Sequence, residues 1–202
     1  MKWVVFQSIF KKKHTPIVMS FEKDGYIFKR QFLSKELCDI GKRVALHERD
    51  ARYVQCNQVE KSHAGYRNNF MENLLKRCQS QVEKCTGLKL FPTYSYYRVY
   101  EPGNILHDHT DRPECEISVT ITLGFNYMDK SGDYRWPVHI FVNDKKKYFE
   151  CNVGDAVIYR GCEIKHGREQ FNVGADSYHV NVFLHYSQER NHLYDGHDNL
   201  GI

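Results

Sequence analysis

No apolar run in this sequence approaches the roughly 20 residues that cross a bilayer. The stretch Trp3 to Phe10 is short and carries Gln7 and Ser8. It runs into Lys11-Lys12-Lys13, so charge lies on the wrong side for a secretory signal, and no small-residue cleavage site follows. No CxxC pair occurs, which excludes a zinc ribbon. The seven cysteines are odd in number and irregularly spaced, as expected of reduced thiols in a cytoplasmic protein with no membrane partner. Charge of one sign is scarce as well. The 29 Lys and Arg against 25 Asp and Glu leave +4, which gives nucleic acid no special support but does not exclude it. Repeats, low-complexity tracts and Pro/Gly linkers are also missing, so the 202 residues are expected to form a single domain.

Aromatic residues are plentiful. With 14 Tyr, 12 Phe and few Ala, the composition favours strands over a helical bundle, and 41% apolar residues exclude global disorder. Asp24-Gly25 reads as a turn between two short extended segments. Ser34 is placed to cap a helix reaching about Glu48, with Leu37, Ile40, Val44 and Cys38 on its apolar face. A polar stretch from Asn57 to Asn69 follows. A second helix over Phe70 to Cys85 uses Leu74, Leu75, Cys78 and Val82, and Gly87 ends it.

After Leu88 the pattern turns to strands. Tyr94 to Tyr100 is extended and closes at Pro102-Gly103. Over Glu116 to Leu123, Ile117, Val119, Ile121 and Leu123 alternate with Ser118, Thr120 and Thr122. Further strands are expected at Val138–Val142, Lys147–Cys151, Ala156–Tyr159 and Tyr178–Tyr186, separated by turn residues. This spacing suggests a sandwich or barrel. The tail from Gln188 is polar and expected to be poorly ordered.

The chemistry concentrates at histidine. His107, Asp108, His109 and Asp111 cluster just after the Pro102-Gly103 turn, and His166 follows beyond a strand and Gly161. Residues two apart on an extended segment share a face, so His109 and Asp111 can aim at one point. A later histidine would complete two imidazoles and one carboxylate around a metal with open positions, the arrangement of non-haem Fe(II) oxygenases.

Three segments together resemble the iron- and 2-oxoglutarate-dependent oxygenases: Tyr96 to Gly103, Leu106 to Asp111, and Gly154 to Gly161 with His166 behind it. The likeness is greatest to small prolyl-hydroxylase-like members. The Tyr100-x-Pro-Gly run with His109 nine residues on also looks like the nucleic-acid dealkylase branch. The resemblance covers about residues 94 to 186. It implies a mainly β fold, a double-stranded β-helix (jelly roll) over 91–187, supported by helices and strands of residues 1–90 with a polar tail over 188–202. It implies His109, Asp111 and His166 as ligands of Fe(II), with 2-oxoglutarate and O2 as cosubstrates. The implied reaction is C–H hydroxylation with succinate and CO2 as coproducts, since members that halogenate lack the carboxylate Asp111 supplies.

One departure stands out. The family usually grips the distal 2-oxoglutarate carboxylate with a base about ten residues after the second histidine. Here that region is Ala175, Asp176 and Ser177. Arg98 and Arg168 are the substitutes, with Tyr100 and Asn181 beside them. His107 is expected outside the metal's ligands or at the surface, Asp108 solvated, and Arg112 on Asp111 or paired with Glu114 or Glu116. Trp136-Pro137 lines an entrance or is buried, Lys145-Lys146-Lys147 forms a solvated loop at a hairpin tip, and Tyr66 and Arg67 either belong to a substrate lid or, as the favoured reading, are ordinary residues of the polar stretch between the helices. The expected substrate is an amino-acid or peptidyl side chain. Two other readings compete: a cupin-type metalloprotein using His107, His109 and Glu114, and a β-sandwich binding module with incidental histidines.

Overall fold

The computed structural model describes residues 21–189. The Trp3–Lys13 stretch and the tail beyond Glu189 lie outside the described residues. The elements in order are α1 (Phe21–Asp24), β1 (Tyr26–Lys29), α2 (Lys35–Ala51), β2 (His63–Tyr66), α3 (Asn69–Thr86), β3 (Phe91–Tyr100), β4 (Leu106–His109), β5 (Ile117–Asn126), β6 (Val138–Val142), β7 (Lys145–Phe149), β8 (Ala156–Arg160), β9 (His166–Arg168) and β10 (Tyr178–Ser187). A six-stranded sheet runs β1-β8-β5-β10-β3-β2, and a four-stranded sheet runs β4-β9-β6-β7, every pair antiparallel. From β3 to β10 the chain crosses repeatedly between the two sheets, which is the jelly-roll path.

The helices begin and end where side chains can take the terminal backbone groups. Ser34 Oγ accepts from Leu37 N at the start of α2, and Asn68 Oδ1 accepts from Phe70 N and Met71 N at the start of α3. Gly87 closes α3 at φ 75°, a conformation that costs glycine little. Both helices cover the outer face of the large sheet. Ile117, Val119, Ile121 and Leu123 join Cys38, Ala45, Leu74, Leu75 and Val82 there in one apolar core.

The other row of β5 is polar. Ser118, Thr120 and Thr122 are at most 3% exposed, so they are as buried as the apolar row. They face the space between the sheets. Polar groups there must find partners, and the interior of the barrel is therefore chemically suited to a polar ligand.

Several local expectations are corrected. The segment before Gly25 is the helical turn α1, not a strand. Helix α2 continues to Ala51, and its buried stripe is Cys38, Gly41 and Ala45, while Ile40 is exposed. Small residues win that stripe because the helix lies close to the sheet: a Cβ on Gly41 would sit 3.0 Å from Leu123. The polar stretch contains a strand, β2, whose backbone is satisfied by pairing with β3 at the sheet edge. The hairpin tip between β6 and β7 is Asn143-Asp144, with φ 50° and 60°. Lys145 to Lys147 thus lie in β7 itself, at the edge of the small sheet, where lysines discourage strand addition. Of the expected tail, Gln188 and Glu189 are described, and Gln188 is held by Glu116. No helix among the described residues is long and apolar enough to cross a membrane.

Candidate metal and cosubstrate site

Strand pairing assembles the metal-type cluster. In the β4–β9 ladder His109 lies directly opposite His166, so two residues 57 apart in sequence become cross-strand neighbours. Their rings are 4.4 Å apart between centroids. Asp111 lies just past β4, its backbone N–H donating to Gly161 O at 2.8 Å. Asp111 Oδ1 is 3.6 Å from His109 Nε2 and 3.5 Å from His166 Nε2, and the three ligand atoms all lie within 4.8 Å of one another.

The surroundings prepare these atoms for a cation. His109 Nδ1 donates to His107 O at 2.7 Å, and His166 Nδ1 donates to Ile164 O at 2.9 Å. Each bond holds the tautomer in which Nε2 offers its lone pair to the centre. Burial and then the neighbouring His166 lower the pKa of His109, favouring the neutral, ligating form. Burial opposes ionisation of Asp111, but the hydrogen bond and charge that His166 presents when protonated, with His185 and Ser118, hold its carboxyl at about 2 in the metal-free protein. Ser118 Oγ donates to Asp111 Oδ2 at 2.6 Å and is 2.9 Å from His185 Nδ1. Two imidazole nitrogens and one carboxylate oxygen, converging with a free side, fit a divalent iron.

A cavity of about 900 Å³ opens onto this cluster. Arg98 forms part of its wall, as do Tyr66 and Tyr96. Arg98 is 2% exposed. It donates to Tyr100 Oη at 3.0 Å, Cys56 Sγ at 3.2 Å and Gln58 Oε1 at 2.6 Å. Arg168, also 2% exposed, is not part of that wall and donates to Trp136 O at 2.8 Å and Asn181 Oδ1 at 3.3 Å. The Tyr100 ring lies between the two guanidinium groups, 5.2 Å from Arg98 and 5.7 Å from Arg168. Asn181 Nδ2 donates to Thr120 Oγ1 at 2.6 Å. The four residues expected to meet the cosubstrate thus occur together on the inner surface of the barrel.

Other expectations fare unevenly. His107 is exposed and contributes its carbonyl, which leaves the cupin reading without its first imidazole. Asp108 is not simply solvated: it bonds His139 Nε2 at 2.5 Å and lies 3.3 Å from Lys146 Nζ. Arg112 donates to Tyr94 Oη at 2.7 Å, and the side-chain hydroxyl on Asp111 belongs to Ser118. Trp136 is buried against Arg168. Sequence reasoning missed Ser118, Cys56 and Gln58. Ser118 had a signal, its place on the polar row of β5. Cys56 and Gln58 had none, since they sit in an aperiodic loop. Gln58 Nε2 is nonetheless 2.9 Å from His109 Nε2.

No family model and no curated protein matches the sequence. Solved structures do match in fold. A Pseudomonas putida prolyl-4-hydroxylase superposes with a TM-score of 0.63 at 13% identity, covering 82% of this chain and 94% of that one. A Trichoplax adhaerens prolyl hydroxylase, in complex with a hypoxia inducible factor oxygen degradation domain peptide fragment, gives 0.64 at 10% identity over 86% and 87%. HygX from Streptomyces hygroscopicus, with nickel and 2-oxoglutarate bound, gives 0.61 at 10% identity over 84% and 85%. The chain has the fold of the iron(II)/2-oxoglutarate oxygenases, and it resembles the prolyl hydroxylases among them.

Proposed function

We propose that this protein is an Fe(II)- and 2-oxoglutarate-dependent dioxygenase that hydroxylates a C–H bond of an amino-acid or peptidyl side chain. The observation that carries the reading is the convergence of His109, Asp111 and His166 inside a barrel lined by buried cations. Iron, 2-oxoglutarate and O2 would supply the oxidising power, one oxygen atom going to succinate and the other to the substrate, with loss of CO2.

The protein's own part is positioning and exclusion of water. His109 and His166 hold the metal through Nε2 because their Nδ1 atoms are committed to carbonyls. Asp111 contributes Oδ1 while Ser118 restrains Oδ2. Arg168, backed by Asn181 and Tyr100, takes the distal carboxylate of 2-oxoglutarate, because a buried carboxylate needs a charged, hydrogen-bonding partner. Arg168 is the better placed of the two cations for the cosubstrate. Arg98 lines the cavity that opens onto the cluster, which leaves Arg168, held among Trp136, Asn181 and Tyr100, for the cosubstrate. Rings of Tyr100, Trp136 and Tyr159, all nearly fully buried, close the barrel interior to water.

The deciding experiment is succinate formation from 2-oxoglutarate, first without and then with a panel of peptides, free amino acids and methylated oligonucleotides. Slow substrate-free turnover is expected, strictly dependent on Fe(II) and lost under argon. No succinate above the metal-free control across the panel would sink the proposal.

A further inference from the structure

Arg98 presents a charge that the proposed chemistry does not consume. Two carboxylates line the cavity, Asp111 and Glu48. Glu48 is bonded to the Tyr97 hydroxyl and to Asn68 Nδ2, and Asp111 belongs to the metal-type cluster. Arg98 makes no ion pair among the described residues. Its NH1 and NH2 meet only a phenol, a thiol and a carboxamide, and its Nε has no partner. An unpaired buried charge is costly, so a site that retains one is built for an anion.

Charge accounting makes the anion specific. Iron(II), Asp111, doubly negative 2-oxoglutarate and Arg168 together come to zero. Arg98 then leaves one positive charge facing the open cavity. Its neighbours shape a receptor: Tyr96, Tyr100 and Phe183 place their rings 5.2–5.6 Å from the guanidinium carbon. Gln58 already occupies that receptor with an uncharged mimic. Its Oε1 accepts from Arg98 while its Nε2 reaches His109 Nε2, so one carboxamide spans the gap between cation and metal-binding atom. Gln58 sits in the loop joining α2 to β2, outside regular structure.

Resting on the reading above, we infer that Arg98 receives a carboxylate of the primary substrate, which makes that substrate a small carboxylic acid such as a free amino acid. The hydroxylated carbon then lies within one carboxylate's reach of the metal.

The test uses wild-type Fe(II)-loaded protein and a defined probe set: the twenty L-amino acids and simple carboxylic acids of four to ten carbons, each beside its carboxamide. At least one acid should stimulate succinate formation tenfold or more over its carboxamide. Under argon with 2-oxoglutarate bound, that acid should raise the unfolding midpoint and its carboxamide should not, a readout that needs no variant. In Arg98→Lys, the KM for the acid should rise at least tenfold more than the KM for 2-oxoglutarate. Equal stimulation by acid and carboxamide overturns the inference, as does a 2-oxoglutarate KM that rises as much as that of the acid. Substrate-free turnover with no response to any acid also overturns it. Absence of substrate-free turnover is a different result, because it removes the underlying dioxygenase reading.

Discussion

At the scale of single residues, the site separates atoms that bind from atoms that hold the binders in place. His109→Ala, Asp111→Ala and His166→Ala each remove a converging ligand atom. Each is expected to abolish stoichiometric Fe(II) binding in metal titration of folded protein, and normal affinity in any one variant removes that residue from the site. Ser118→Ala leaves all three ligand atoms but frees Asp111 Oδ2. Loss of such a support typically weakens metal affinity by about 10- to 100-fold, so the variant should bind measurably but weakly. Arg168→Ala bears on the cosubstrate instead. Its 2-oxoglutarate KM should rise about tenfold or more, equivalent to about 1.4 kcal/mol. An unchanged value moves the distal carboxylate elsewhere.

At the scale of elements, close approach is what sets the geometry. The turn after β8 passes so near the site that a Cβ on Gly161 would lie 2.2 Å from Cys115 O and 2.5 Å from Asp111 Oδ2. Neither atom can retreat easily, since one is backbone and the other is fixed by Ser118. Gly161→Ala should therefore lower stability by about 1–3 kcal/mol, the usual cost of overpacking, and weaken metal binding as well. Urea unfolding and metal titration on the same preparation check both, and a variant with normal stability and metal affinity contradicts the packing argument. Gly65 does the equivalent for β2, where an added Cβ would fall 2.1 Å from the Tyr97 ring. That strand anchors the end of the loop bearing Cys56 and Gln58, so the geometry of Arg98's partners depends on a glycine at a sheet edge.

Across the whole molecule, burying polar groups between two sheets leaves a pH signature. His179 is fully buried, and burial, then the Arg168 charge, lowers its pKa well below the ordinary 6.5. Below pH 6.5 the unfolded chain takes up a proton there and the folded protein does not. The stability contributed by this group is therefore fully present above that pH and falls as pH drops, by up to about 1.4 kcal/mol per unit. His63, lowered first by burial, acts in the same direction. Asp111 acts in a separate window, losing its contribution only as pH falls from 3.8 toward about 2. Urea midpoints of the metal-free protein between pH 7.5 and 5 should fall steadily below 6.5, and a flat profile would contradict the burial of neutral His179.

Features written in short stretches of sequence were legible before any fold was known. The alternation of β5, the caps at Ser34 and Gly87, and the His109-x-Asp111 pair each depend on residues close together in the chain, where local backbone geometry sets which side chains share a face; the Asn68 cap was not read from the sequence. His166 as the third ligand and the two arginines as candidates for the cosubstrate were named through the family resemblance, not from local geometry. What the sequence could not carry was everything decided between elements. His166 becomes a partner of His109 only through the β4–β9 register, and Ser118 reaches Asp111 only because β5 passes behind it. Strand β2 exists because β3 offers it an edge, not because its own residues favour extension. Gln58 and Cys56 come to Arg98 from a loop without periodicity. Such pairings join residues far apart in the chain, 67 positions for Ser118 with His185 and 125 for Arg30 with Asp155. Contact at that separation is fixed by how the sheets close on each other, and it leaves no local trace.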